Sequence, residues 1–194
     1  MSDLNYGKTL IKYARESIET YFSGNKPNIP DVLKNDKEKK GVFVTLEKNG
    51  HLRGCIGFPE PVYELKKAIF EAARAAAFKD PRFMPLEEDE LDSITIEISL
   101  LTKPVLIEVE KPEDYLKKII IGKHGLIIRN MYNSGLLLPQ VFTEYKCSSL
   151  EALEMVCEKA GLDKDAWKEE ESQIYSFEAE IFSEKEPKGE VIKK

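Results

Sequence analysis

In the run Leu52-Arg-Gly-Cys-Ile-Gly57, a thiol, a guanidinium and two glycines fall within five residues. A neighbouring cation lowers a cysteine's pKa and raises its thiolate fraction, so Arg53 could make Cys55 a nucleophile. The planar fork of a guanidinium can equally hold a carboxylate or a phosphate. Gly54 and Gly57, inside an extended run, mark a bulge or a close approach by backbone or ligand. Two readings follow. One is a glycine-lined crevice with Cys55 on its floor. The other is a small buried thiol, an ion-paired arginine and glycines that permit tight packing.

Further candidates lie along the chain. With two histidines present, a Cys–His couple must use His124 or His51. His124 sits in Gly122-Lys-His-Gly125, a turn where an imidazole can serve as base for Cys55 or bond its own backbone. His51 adjoins a hairpin turn and is expected to be exposed. Asp80 and Arg82 share the proline-stiffened turn Asp80-Pro-Arg-Phe83. They could orient Arg53 and a substrate, or clamp the preceding helix, and aspartate's habit of bonding local backbone favours the clamp. The candidate set is thus Cys55 and His124 for catalysis, and Arg53, Gly54, Gly57, Asp80, Arg82 and Gln140 for ligand binding. Glu97 is placed to pair with Arg53 or with a surface lysine, and the acidic run 87–92 reads as a solvated loop or helix start. No metal signature is present: the histidines are far apart, and Cys55, Cys147 and Cys157 form no CxxC pair. There is no P-loop and no GxGxxG.

The elements that position these residues can be read from periodicity. The spacing of Leu10, Ile11, Ala14 and Ile18 predicts a helix over 6–22, closed by Gly24. Strands 41–48 and 51–57 flank Asn49-Gly50, a type I′ hairpin signal. A simple two-residue turn sets Leu46 opposite Arg53 and Val44 opposite Cys55, which places Arg53 and Cys55 on the apolar Val42–Val44–Leu46 face. A helix is predicted over 62–78 and an alternating strand over 93–101. A short helix over 112–119, strands near 120 and over 126–130, and a turn at 133–135 follow. Ser148 or Ser149 caps a helix that ends near Gly161, and one final strand covers 172–183. Helices and hairpins mix without strict βαβ alternation, which predicts an α+β fold with a mainly antiparallel sheet.

Composition narrows the function classes. The chain has 194 residues, 42% of them hydrophobic, and a formal charge of -6. That suits a folded protein of one large or two small domains. No stretch reaches the roughly 18 apolar residues of a membrane span, and no signal peptide is visible. Three cysteines are too few and too scattered for a disulfide framework, so the expected compartment is the cytoplasm. The acidic balance argues against broad nucleic-acid binding.

Several blocks together carry a family resemblance. Leu52-Arg-Gly-Cys-Ile-Gly57, Ala76-Ala-Phe-Lys-Asp-Pro-Arg-Phe83 and Ile96-Glu-Ile-Ser-Leu100 come in order with Gly122-Lys-His-Gly-Leu126, Gly135-Leu-Leu-Leu-Pro-Gln-Val141 and Lys159-Ala-Gly-Leu162. Over about residues 5–183 the chain resembles the AMME chromosomal region protein family, whose prokaryotic members are also called AmmeMemoRadiSam system protein A. The resemblance implies two interlocked α+β subdomains, a smaller one of about 41–90 and a larger one from both flanking segments, with 184–194 as a flexible tail. It implies no settled activity. It does imply a pathway shared with Memo-like and radical S-adenosylmethionine proteins. The leading expectation is an accessory or binding protein whose Arg53/Cys55 crevice holds a small anionic ligand or a partner segment. The alternatives are a cysteine-dependent enzyme using Cys55 with His124, and a nucleic-acid-linked regulator.

Overall fold

Leu10, Ile11, Ala14 and Ile18 form the buried face of α1 (Leu4–Ser23). Asp3 caps it by accepting the Tyr6 N–H at 2.7 Å, and Gly24 ends it at φ +71°. The computed structural model describes residues 3–194. After α2 (Asp31–Lys34), β1 (Gly41–Lys48) and β2 (His51–Phe58) make the hairpin, with Asn49 and Gly50 at φ +54° and +75°. Next come α3 (Leu65–Phe78), β3 (Ile94–Leu101) and the short β4 (Val105–Leu106). They are followed by α4 (Tyr115–Lys118), β5 (Gly125–Asn130), β6 (Asn133–Leu137), α5 (Pro139–Glu144) and α6 (Ser149–Lys159). Strands β7 (Ser172–Phe177), β8 (Ala179–Glu184) and β9 (Val191–Lys193) complete the chain.

Two sheets result, in the orders β2-β1-β3-β8-β9 and β4-β7-β5-β6, and every pairing described between their strands is antiparallel. The α+β expectation therefore holds. One unit comprises residues up to Leu101 together with Glu180–Lys194, and the other is Thr102–Ala179. In the first, Val42, Val44, Leu46, Ile96 and Ile98 pack with α1 and the alanines of α3. In the second, Leu126, Ile128 and Ile174 pack with Leu153 and Val156 of α6, beside Phe142 and Trp167.

The structure revises three expectations. The smaller unit is not 41–90: β1 pairs along its other edge with β3, and α3 packs against α1 as well as the hairpin, so this segment belongs to the larger unit. The stretch 172–183 is two strands in different sheets, divided at Glu178. The segment from Glu184 onward is an ordered hairpin, because Val191 is buried and β9 pairs with β8.

The hairpin register also departs from the simple one. Lys48 faces His51 and Glu47 faces Leu52, but Leu46 then faces Gly54 and Thr45 faces Cys55. Arg53 is the extra residue of a bulge, and every side chain beyond it changes face. Gly54, not Arg53, joins the buried Val44 and Leu46 face. A Cβ there would collide with the carbonyl oxygen of Ala76, so Gly54 lets α3 approach β2 backbone to backbone. Gly54→Ala is expected to lower Tm by about 6–12 °C, from roughly 3 kcal/mol of overpacking. Ala76→Gly will not rescue it, because the collision is with main chain. A thermal scan showing a loss below about 1 °C would contradict this packing.

Candidate functional site

Beyond the bulge, Cys55 projects from the sheet face opposite α3. Across the strands it shares a row with Thr45 and Glu97, because Cys55 pairs with Thr45 and Thr45 with Glu97. Thr45 Oγ1 donates to Cys55 Sγ at 3.3 Å. Glu97 pairs with Lys194 Nζ at 2.6 Å, the surface-lysine alternative for this residue. Burial pushes the Cys55 thiol pKa up; Thr45 and Arg82 oppose the shift, and the carboxylates of Asp80 and Glu97 add to it. The thiol therefore stays protonated at neutral pH, the opposite of an activated nucleophile.

β2 is an edge strand, and Cys55 turns its backbone N–H and C=O away from β1. Both find partners in the turn after α3. The Cys55 N–H donates to Asp80 Oδ2 at 2.8 Å, and the Cys55 carbonyl accepts from Arg82 Nη2 at 3.2 Å. Asp80 in turn binds Arg82 twice, Oδ1 to Nε at 2.9 Å and Oδ2 to Nη2 at 2.7 Å, and Oδ1 also accepts the Arg82 backbone N–H. Donation by Arg82, reinforced by the two backbone N–H groups, holds the Asp80 carboxyl well below the usual carboxylate range despite its burial. The pair thus closes the strand edge as a neighbouring strand would.

Arg53 is engaged elsewhere. Its Nε and Nη2 form a two-pronged pair with Glu90 at 3.0 and 2.8 Å, and Nη1 and Nη2 donate to the carbonyls of Met84 and Pro85. Lys48 Nζ and the Glu87 N–H also donate to Glu90. These donors, Arg53 foremost, pull the Glu90 pKa down to about 2. Arg53 is therefore a strut tying the bulge to the 84–90 segment, and Arg82 is the guanidinium that neighbours the thiol.

The remaining candidates fall in two places. Gly57 lies where a Cβ would strike the Val42 carbonyl and the Phe43 ring, so it accommodates packing. His124 and Gln140 belong to the second unit. His124 Nδ1 accepts the Ile120 N–H at 3.2 Å, which is the local-backbone alternative for this turn, and burial lowers its pKa. Gln140 sits in the first turn of α5. Cys55, Asp80 and Arg82 are brought into contact. Among the described residues, no group of three or more His, Cys, Asp or Glu side chains is placed to hold a metal ion.

The AMMECR1 family model matches residues 11–182 of this sequence. The chain belongs to the AMMECR1 family. A Methanocaldococcus jannaschii protein is 50% identical over 193 residues, covering 98% of this chain and 96% of that one. An Aquifex aeolicus protein is 46% identical over 187 residues, covering 95% of each. The crystal structure of an uncharacterised Pyrococcus horikoshii protein superposes with a TM-score of 0.93 at 43% identity, covering 99% of this chain and 98% of the other.

Within this AMMECR1 chain, the residues that sequence reading missed are Thr45 and Glu90. Thr45 was hidden by the register, and Glu90 by the surrounding acidic run, where nothing distinguishes one carboxylate from the next. Glu90 titrates below its ordinary range, so the stability it contributes is present above about pH 4.5 and lost as pH falls towards 2. Glu90→Gln is expected to cost about 2 kcal/mol at pH 6, roughly 4–8 °C in Tm, with the gap to wild type closing by pH 2. Thermal scans across that range check it, and a gap unchanged at low pH would count against the Arg53–Glu90 strut.

Proposed function

We propose that the chain is an accessory binding protein that takes a small anionic group at Arg82, and that it works beside Memo-like and radical S-adenosylmethionine proteins. The observation that carries the reading is an asymmetry in one ion pair: the Asp80 side chain is 2% exposed and that of Arg82 is 52% exposed. Asp80 and the Cys55 carbonyl occupy Nε and Nη2, whereas Nη1 keeps two N–H groups that no described residue receives. A guanidinium already locked in place loses little freedom when an anion arrives. Arg53, with Glu90 on its fork, supports this edge without offering it a second cation.

The raised thiol pKa favours binding over thiolate catalysis, and the net charge of -6 disfavours nucleic acid. Among the described residues no helix is long and apolar enough to cross a membrane. The three free cysteines suit the reducing cytoplasm, where the proposed partners would meet this chain.

Inorganic phosphate is the direct probe. With millimolar affinity, 10 mM phosphate stabilises the wild type by about 1.4 kcal/mol, roughly 3–6 °C above a chloride control of equal ionic strength. Arg82→Lys keeps the charge but lacks the fork, and is expected to lose most of that shift. Equal shifts in the two proteins, or none in the wild type, would overturn the reading.

A further inference from the structure

Two hairpins of this chain turn on two residues, with contrasting chemistry. Asn49 and Gly50, types that tolerate positive φ, join β1 to β2. Between β5 and β6 the turn residues are Met131 and Tyr132, between the paired Asn130 and Asn133, in place of the turn expected at 133–135. Met131 is held at φ +47°, a backbone region that disfavours an L side chain. Burial gives nothing in return: Met131 is 81% exposed and Tyr132 98% exposed.

The base of this tip is fixed. β5 pairs with β6 on one side and β7 on the other, and the Asn130 amide donates to Glu169 at 2.9 Å and to Ser172 Oγ at 2.8 Å. Glu169, Glu170 and Glu171 are exposed and lead into β7 at Ser172, the residue paired with Asn130. A methionine and a tyrosine on a rigid mount therefore stand beside an acidic rim. Aromatic and thioether side chains of this kind are the anchors that fill partner pockets.

We propose that the Met131–Tyr132 tip is the docking anchor for a protein partner that presents an apolar slot bordered by lysine or arginine. Glu169–Glu171 would steer such a partner. The same carboxylates repel the phosphates of nucleic acids and of anionic lipid surfaces. This contact involves none of the residues of the Arg82 site and stands independently of the phosphate reading.

The test places p-benzoylphenylalanine at position 132 of the full chain, irradiates it in lysate of the source organism and maps the cross-linked peptide by mass spectrometry. The proposal expects a single protein cross-linked at an apolar pocket flanked by Lys or Arg. Once purified, that protein should bind wild type at least about tenfold more tightly than either Met131→Asn/Tyr132→Gly or Glu170→Lys/Glu171→Lys, and more weakly as salt rises. Because the Asn-Gly pair relaxes the turn, Met131→Asn/Tyr132→Gly should melt at or above the wild-type temperature, which separates lost docking from lost folding. Cross-linking to lipid, to nucleic acid, to a second copy of this chain or to nothing would overturn the proposal. So would equal binding by the variants, or a lower Tm for the Asn-Gly turn.

Discussion

Arg53 is one residue more than the antiparallel ladder between β1 and β2 can pair, and the arrangement of the site depends on that surplus. Without the bulge, Gly54 and Cys55 would exchange faces: Arg53 would take the place opposite Leu46 where the Ala76 carbonyl lies, Cys55 would turn to the buried face opposite Val44, and the glycine would stand in the row of Thr45 and Glu97. With it, the glycine lies under α3 and the cysteine points to the opposite face. The bulged residue is itself immobilised, since Glu90 and two backbone carbonyls take its guanidinium. The residue that sets the register is thus pinned to the chain that follows α3.

The same segment closes the sheet edge. An edge strand leaves main-chain donors and acceptors open to other chains. Here Asp80 and Arg82 supply the missing acceptor and donor at Cys55, two residues apart and stiffened by Pro81. This buried carboxylate is stable as an anion because four N–H···O bonds reach it, from Cys55 and from Arg82 side chain and backbone. Satisfying the edge also orients the exposed side of the Arg82 guanidinium, so one interaction serves both the fold and the proposed anion site.

Much of this architecture was legible in the sequence, and its limits have physical causes. Asn49-Gly50, the periodicity of α1 and α3 and the alternation of β3 reflect local preferences, and each element forms near its expected place. The sequence blocks around Cys55 and Asp80 led to the right family and to residues that do meet. The bulge was not legible, because a one-residue surplus leaves the same alternating pattern on either side of it. Residues 172–183 read as one strand because both halves alternate, and only the tertiary pairing assigns them to different sheets. Val191, one of two apolar residues in the charged run after Pro187, gave little local sign that it reaches the core.

The central claim, that the Asp80 carboxylate closes the β2 edge at Cys55, can be measured at one amide. Hydrogen exchange should find the Cys55 N–H protected at least about a hundredfold over an unstructured amide, despite its place on an edge strand. In Asp80→Ala that protection should fall at least about tenfold, while the Val44 amide of the neighbouring strand keeps its own. A Cys55 amide that exchanges freely in the wild type, or equally slowly in both proteins, would contradict the account.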